Sequence, residues 1–428
     1  MTLAALALSD LPAMKLLEQH WQVPDPVDIQ ESIDHAWDQM QIDFHLPKGA
    51  SVAIAVGSRG IANLPQVVAR VVQKLRAIGC RPFITPAMGS HGGATIEGQI
   101  EVLAALGITE ASIGGPIRAT MEVVSMGEAD GIPLFLDRYA HEADGIVLIN
   151  RIKQHTTFSA PTESGLIKML AIGLGNQHGA THYHRLTMVR DYGEVIRTAG
   201  RELIKRSKVL FGLGLVENQN HEISAVYLAP AASLEDIETR ALEQARSLLP
   251  MLPLDDIDLL IVDQIGKDIS GEGMDPNVTG REACSCGMPR HSPVIHRIMV
   301  RDVTPGSEGN VFGVGNADFT VKRLVDKMDS EVTSINCLTS CCPEAGKIPI
   351  SYPNDRIAFA AALMTLRPYT MQDLRLVHIK NTLELKTMLV SEACWTELAT
   401  NPLISLSKNL VPWRFDDQDD LISPLLDL

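Results

Sequence analysis

The chain has 428 residues, with 37 Lys and Arg against 52 Asp and Glu, a formal charge of −15. Hydrophobic residues make up 45% and aromatic residues only 4%, so the cores must be built mostly from aliphatic side chains. This composition excludes a coiled coil, a collagen-like chain and a mostly disordered protein, and the excess acid argues against general binding to nucleic-acid phosphates.

The N-terminus opens with an apolar run but has no basic segment before it, so a signal peptide is not expected. No run of about 18 apolar, uncharged residues occurs, so no membrane span is expected either. The expectation is a cytoplasmic protein in a reducing compartment, with the sequon at Asn277-Val278-Thr279 unused.

In chain order, SVAIAVG (51–57) reads as a strand. NLPQVVARVVQKLRAIG (63–79) reads as a helix, with Pro65 near its start and Gly79 at its end. RPFITPAMG (81–89) is a second strand, which completes a β-α-β unit ending in the small-residue loop Gly89-Ser90-His91-Gly92-Gly93. GQIEVLAALGI (98–108) reads as a helix and DGIVLINRI (144–152) as a strand. The polar stretch 153–185 contains GLIKMLAIGLG, a short helix interrupted by glycine. SKVLFGLGLVE (207–217) and HEISAVYLAP (221–230) read as neighbouring strands, followed by a helix over 233–249.

Pro253 and the strand DLLIVD restart the pattern. FTVKRLVDKM (319–328) and RIAFAAALMTL (356–366) read as helices. SINCLT (334–339), RLVHIKN (375–381) and TMLVSE (387–392) read as strands. The fold class expected is α/β, with two α/β domains over residues 1–250 and 251–428.

The chemistry gathers in loops beyond strand ends. His91 lies in MGSHGG and His155 in NRIKQHTTF. His178, His182 and His184 crowd one Gly-rich segment, and Lys168 stands between the two groups. Imidazole exchanges protons near neutral pH and binds borderline metals such as nickel. Neither a dinucleotide fingerprint nor a P-loop is present. In the second half, Gln264 and Lys267 follow a strand and could hold a carboxylate by charge and hydrogen bonding. Cys284, Cys286, Cys337, Cys341 and Cys342 cluster in sequence, but their spacing is not a familiar zinc or iron–sulfur pattern. They read as buried small apolar residues.

These segments resemble the nickel-dependent lactate racemase (LarA-like) family. The resemblance is carried by AVGSRGI with PAMGSHGG, by NRIKQHTTF…ESGLIKM…GLGNQHGATHYHR, and by VDQIGKDISG, GVGNADFT and NCLTSCCPEAGKIP. It implies a nickel-pincer nucleotide bound in the cleft of two α/β domains and tethered through Lys168. His184 would be the nickel ligand, with His182 and His178 as rivals. His91 and His155 would be the acid/base pair, Ser58 and Arg59 cofactor contacts, and Lys267 and Gln264 substrate contacts.

The activity implied is racemisation or epimerisation of a 2-hydroxy carboxylic acid, with transient help from cofactor-making enzymes. No nucleic-acid or membrane partner is expected, and an oligomer is left open. The first loop departs from the family's Asp-His-Thr-Arg pattern. The His155-to-Lys168 spacing is longer than in the lactate enzymes, so a larger acid, including a sugar acid, is as well matched as lactate. The alternatives are a hydro-lyase or oxidoreductase acting on a hydroxy acid, with the cysteines holding a metal, or a non-catalytic ligand- or cofactor-binding protein.

Overall fold

The structure, a computed structural model, describes residues 11–40, 46–284 and 292–428. Its strands are β1 (Met14–Gln19), β2 (Ser51–Val56), β3 (Arg81–Pro86), β4 (Val123–Ala129), β5 (Ile132–Asp137), β6 (Gly145–Arg151), β7 (Val209–Glu217) and β8 (Ile223–Pro230). They continue with β9 (Asp256–Ile265), β10 (Val294–Val303), β11 (Phe319–Val321), β12 (Ile350–Tyr352), β13 (Leu376–Ile379), β14 (Thr387–Ser391) and β15 (Ile404–Leu406).

The chain divides into two units, Val23–Leu249 and a second that joins the segment ending at Gln22 to Pro250–Leu428. The N-terminal end thus differs from the expected 1–250 domain. Strand β1 pairs antiparallel with β14 and β15, and that hydrogen-bond ladder places it in the second unit.

In the unit Val23–Leu249 the sheet order is β3-β2-β6-β7-β8. The first four strands are parallel, and β8 returns antiparallel to β7 as a hairpin. Both faces of β2 are covered. Ala53 and Ala55 pack into one aliphatic core, and Val52, Ile54 and Val56 into the other. Burial on both faces explains why parallel strands read as unbroken apolar runs. The chain leaves β2 toward β3 on one side and later returns as β6 on the other. The sheet order therefore reverses at β2, and the carboxyl ends of β2 and β6 flank the place where such sheets bind ligands.

The second unit has an eight-stranded sheet, β12-β11-β10-β9-β13-β14-β1-β15. Strands β10, β11 and β13 run parallel to the central β9 array, and β14 and β1 close the other side antiparallel. SINCLT, expected as a strand, lies in the helix Ser330–Thr339. The Asp329 side chain accepts from the Glu331 and Val332 N–H groups, and this N-cap overrides the β preference of the short run. FTVKRLVDKM divides between β11 and the helix Lys322–Asp326. No helix among the described residues is long and apolar enough to cross a membrane.

Candidate functional site

In the unit Val23–Leu249, three loops carry the sequence candidates. Ser58 and Arg59 follow β2, His91 follows β3, and His155 follows β6. Because these strands are neighbours and parallel, their loops emerge on the same edge of the sheet. The Ser58 hydroxyl meets Nδ1 of the exposed His91. The His91 loop is anchored from below, since buried Gln99 donates to the Gly89 carbonyl at 3.1 Å and the Gly89 N–H donates to Gly173 O at 3.2 Å. A Cβ on Gly173 would lie 2.5 Å from Ala87 O. Only glycine lets this loop approach the segment that carries Lys168.

That segment is irregular. Leu166–Lys168 is a single helical turn, and Met169–Gly173 continues it as a π-helix, a wider winding often found at functional sites. Glu238, from the helix Leu234–Ser247, is fully buried behind it. Its Oε2 accepts from the Leu166 N–H at 2.6 Å and the Ile167 N–H at 2.9 Å. A side chain of another helix therefore satisfies the open N–H groups at the start of the Lys168 turn. Burial pushes the Glu238 carboxyl up to about 8, although these two N–H donors favour its ionised form. Gly165 is required at this contact, because a Cβ there would sit 2.5 Å from the Glu238 carboxyl.

Lys168 Nζ lies 2.7 Å from His155 Nε2. The His155 ring is held on several sides. The Thr157 backbone N–H donates to its Nδ1 at 3.0 Å. Phe158 packs against it at 4.3 Å between ring centroids, with Tyr192 at 5.6 Å. Glu163, 2% exposed, accepts from the His155 N–H at 2.6 Å and the Ala160 N–H at 3.0 Å, and Arg246 donates to it at 2.6 Å. The stretch APTESG is thus a fastened loop that sets the position of His155.

His184, His182 and His178 share the helix Asn176–Leu186 but not one surroundings. His184 lies by the Tyr192 hydroxyl, 3.3 Å from Nδ1. Burial, and then the charge of nearby Lys168, push its imidazole down to about 4. Its ring keeps partial exposure, but enough protein surrounds it for desolvation to dominate. His178 and His182 pack on Phe135 instead, at 4.6 and 5.2 Å, and lie 4.6 Å from each other. His182 lies two residues before His184, about 200° around the helix, which turns it to the other side. Of the three, His184 is the one electrostatically coupled to Lys168. A neutral imidazole beside an amine suits metal ligation and covalent tethering respectively.

The remaining candidates belong to the second unit. Gln264 lies near the carboxyl end of β9 and Lys267 just beyond it. Lys267 Nζ donates to Gly271 O at 2.6 Å and sits 4.6 Å over the Phe312 ring. Cys284 and Cys342 form a disulfide with Cα atoms 5.2 Å apart, which corrects their reading as unlinked apolar residues. They meet because both pack with Phe312, Cys337 and Ala345 in a small core. Cys337 and Cys341 are thiols, and Cys286 lies outside the described residues. Among the described residues no three His, Cys, Asp or Glu side chains are grouped to hold a metal ion.

Sequence reading missed Tyr192, Glu163, Arg246 and Glu238. For Glu238 a signal existed. Leu234, Glu238, Ala241 and Leu242 are the buried positions of one helix face, so the acid stands where the periodicity calls for an apolar residue.

The two units are α/β structures, and this fold is shared with a solved protein from Thermotoga maritima. That match has 14% identity, covers 79% of this chain and 92% of that one, and has a TM-score of 0.50. The lactate racemase apoprotein from Thermoanaerobacterium thermosaccharolyticum matches at 13% identity over 73% of this chain and 75% of that one, with a TM-score of 0.44. No protein-family model matches the chain, and no curated protein matches it in sequence.

Proposed function

We propose that the chain is a racemase or epimerase of a 2-hydroxy carboxylic acid that uses a nickel-pincer nucleotide tethered at Lys168. The observation that carries this reading is the convergence of Lys168, His155 and His184 beside the loop of His91. The residues fit such a group. Lys168 offers an amine for the tether, and His184 offers an imidazole kept neutral by burial, with Tyr192 engaged at Nδ1 and Nε2 on the opposite side of the ring. Ser58 and Arg59 lie in the loop after β2, where a phosphate would meet a hydroxyl and a guanidinium. When bound, the group supplies a reversible acceptor for the substrate's α-hydride.

The chain's own residues manage the proton. His91, with Nδ1 at the Ser58 hydroxyl, can exchange a proton with the substrate hydroxyl through Nε2. His155, with Nδ1 accepting from Thr157, presents Nε2 as its proton-bearing atom, which suits giving a proton back to the keto oxygen as the hydroxyl is restored. Phe158 and Tyr192, stacked at 4.4 Å, form an apolar wall beside it.

The test is intact-protein mass spectrometry with metal analysis after co-expression with the cofactor-making enzymes. The expected result is an adduct on Lys168 with stoichiometric nickel. His91→Ala should keep the adduct while losing interconversion. An unmodified Lys168 under these conditions would overturn the reading.

A further inference from the structure

We infer that His178 and His182 form a second metal site, a two-imidazole chelate for a borderline divalent cation such as copper(II) or nickel(II), separate from His184. The inference does not depend on the tether proposed at Lys168. It accounts for the two histidines of the helix Asn176–Leu186 that the function proposed above leaves unused.

The helix sets the spacing. His178 and His182 stand four residues apart on it. Four residues advance about 6 Å along the axis and about 40° around it, so both side chains rise from one face. The same separation brings the two histidines of a His-Glu-x-x-His helix onto one zinc ion. The two rings lie 4.6 Å apart between centroids. An ion about 2.0–2.1 Å from a ring nitrogen is about 3.2 Å from the centre of that ring. Two rings at the observed separation therefore meet one ion at about 90°. That is the angle between adjacent ligands in tetragonal copper(II) and nickel(II) sites. A tetrahedral zinc ion would spread the same centroids to about 5.2 Å.

Packing holds the rings in place. Phe135, on β5, lies against both, at 4.6 Å from His178 and 5.2 Å from His182. The helix meets that strand at Gly179, where a Cβ would already lie 3.6 Å from the Phe135 Cβ. Two imidazoles fastened to one aromatic ring leave little ordering for the ion to impose.

Hydrogen bonding supplies the lone pair. His182 Nδ1 lies 2.9 Å from the His178 carbonyl oxygen. A carbonyl only accepts, so Nδ1 carries a proton. A neutral His182 then holds its lone pair on Nε2, the nitrogen farther from the backbone. A backbone carbonyl at one ring nitrogen is the usual way in which the other is set for a metal. His178 is exposed and His182 half-buried, so solvent reaches the pair. Among the described residues no third His, Cys, Asp or Glu side chain joins them. Water completes the coordination, which makes the ion exchangeable, and copper(II) should bind more tightly than nickel(II).

The experiment uses the full-length protein, purified without cofactor and stripped of metal, at neutral pH. Copper(II) is followed by electron paramagnetic resonance and nickel(II) by equilibrium dialysis. Both are measured on the parent and on His178→Ala, His182→Ala and His184→Ala. Alanine favours the helix, so the first two variants keep the element that carries the site, and circular dichroism checks this. In the parent, the most tightly held copper ion should show coupling to two nitrogens. His178→Ala and His182→Ala should each reduce this to one nitrogen and weaken both metals at least about tenfold, because a bound imidazole no longer presents a second one at high effective concentration. His184→Ala should leave affinity and coupling unchanged. A tightest ion that is indifferent to both His178→Ala and His182→Ala, or one lost in His184→Ala, would overturn the inference.

Discussion

Glu238→Gln is a sharp test of how the Lys168 turn is built. The parent carboxyl is fully buried, and burial raises it from 4.5 to about 8 against the pull of two backbone N–H donors. Ionising it is therefore about 5 kcal/mol more costly in the folded chain than in the unfolded one, an upper value. The sign follows from proton counts. Between pH 4.5 and 8 the folded state holds a proton at Glu238 that the unfolded state has lost, so this group makes stability fall as pH rises through that window. Glutamine keeps an oxygen for the Leu166 and Ile167 N–H groups and does not ionise. The stability of Glu238→Gln relative to the parent should therefore rise by several kcal/mol between pH 5 and 8. Urea denaturation of both proteins across that range measures it, because contributions common to both cancel in the difference. A difference that stays flat with pH would refute the argument that burial outweighs the backbone donors.

Two further outcomes follow from buried contacts. Gly165→Ala would place a methyl 2.5 Å from the Glu238 carboxyl, and the overpacking should lower stability by about 1–3 kcal/mol, seen as a lower urea midpoint. In the second unit, burial would raise the Asp263 carboxyl, but His378 at 2.6 Å, Arg301 and the Ser423 hydroxyl overcome this and hold it down to about 2. Its contribution is present above its ordinary 3.8 and is lost as pH falls toward 2. Asp263→Asn should cost about 3–5 kcal/mol, because it leaves the buried Arg301 one carboxylate short. Denaturation at pH 7 tests the loss, and an unchanged midpoint would show that Asp355 alone suffices for Arg301.

Most of the α/β pattern was legible in the sequence, because parallel strands buried on both faces leave long apolar runs and helices leave a 3.6-residue period. The runs at β2, β3, β6 and β9 are of this kind. The reading failed where a local signal competed with a tertiary one. SINCLT has a strand-like composition, yet Asp329 caps it as a helix. Strand β1 precedes the first unit in sequence but completes the sheet of the second. The helix Tyr192–Arg206 passed unread, and Tyr192 with it.

For the site, the sequence by itself determined the residue types and their order: His91, His155, Lys168 and His184, each placed in a loop or at a helix beside small residues. Those are local properties. Which of His178, His182 and His184 accompanies Lys168 was decided by the tertiary structure, because Phe135 draws the first two to another side of the helix. The same holds for the hydrogen bonds that set the proton on His155, for the Glu163–Arg246 brace and for the Glu238 carboxyl under the Lys168 turn. Glu238 stands 70 residues beyond Lys168, and contacts across such separations leave no periodicity in the chain. Only folding brings the partners into hydrogen-bonding distance, where the direction of each donor decides the chemistry.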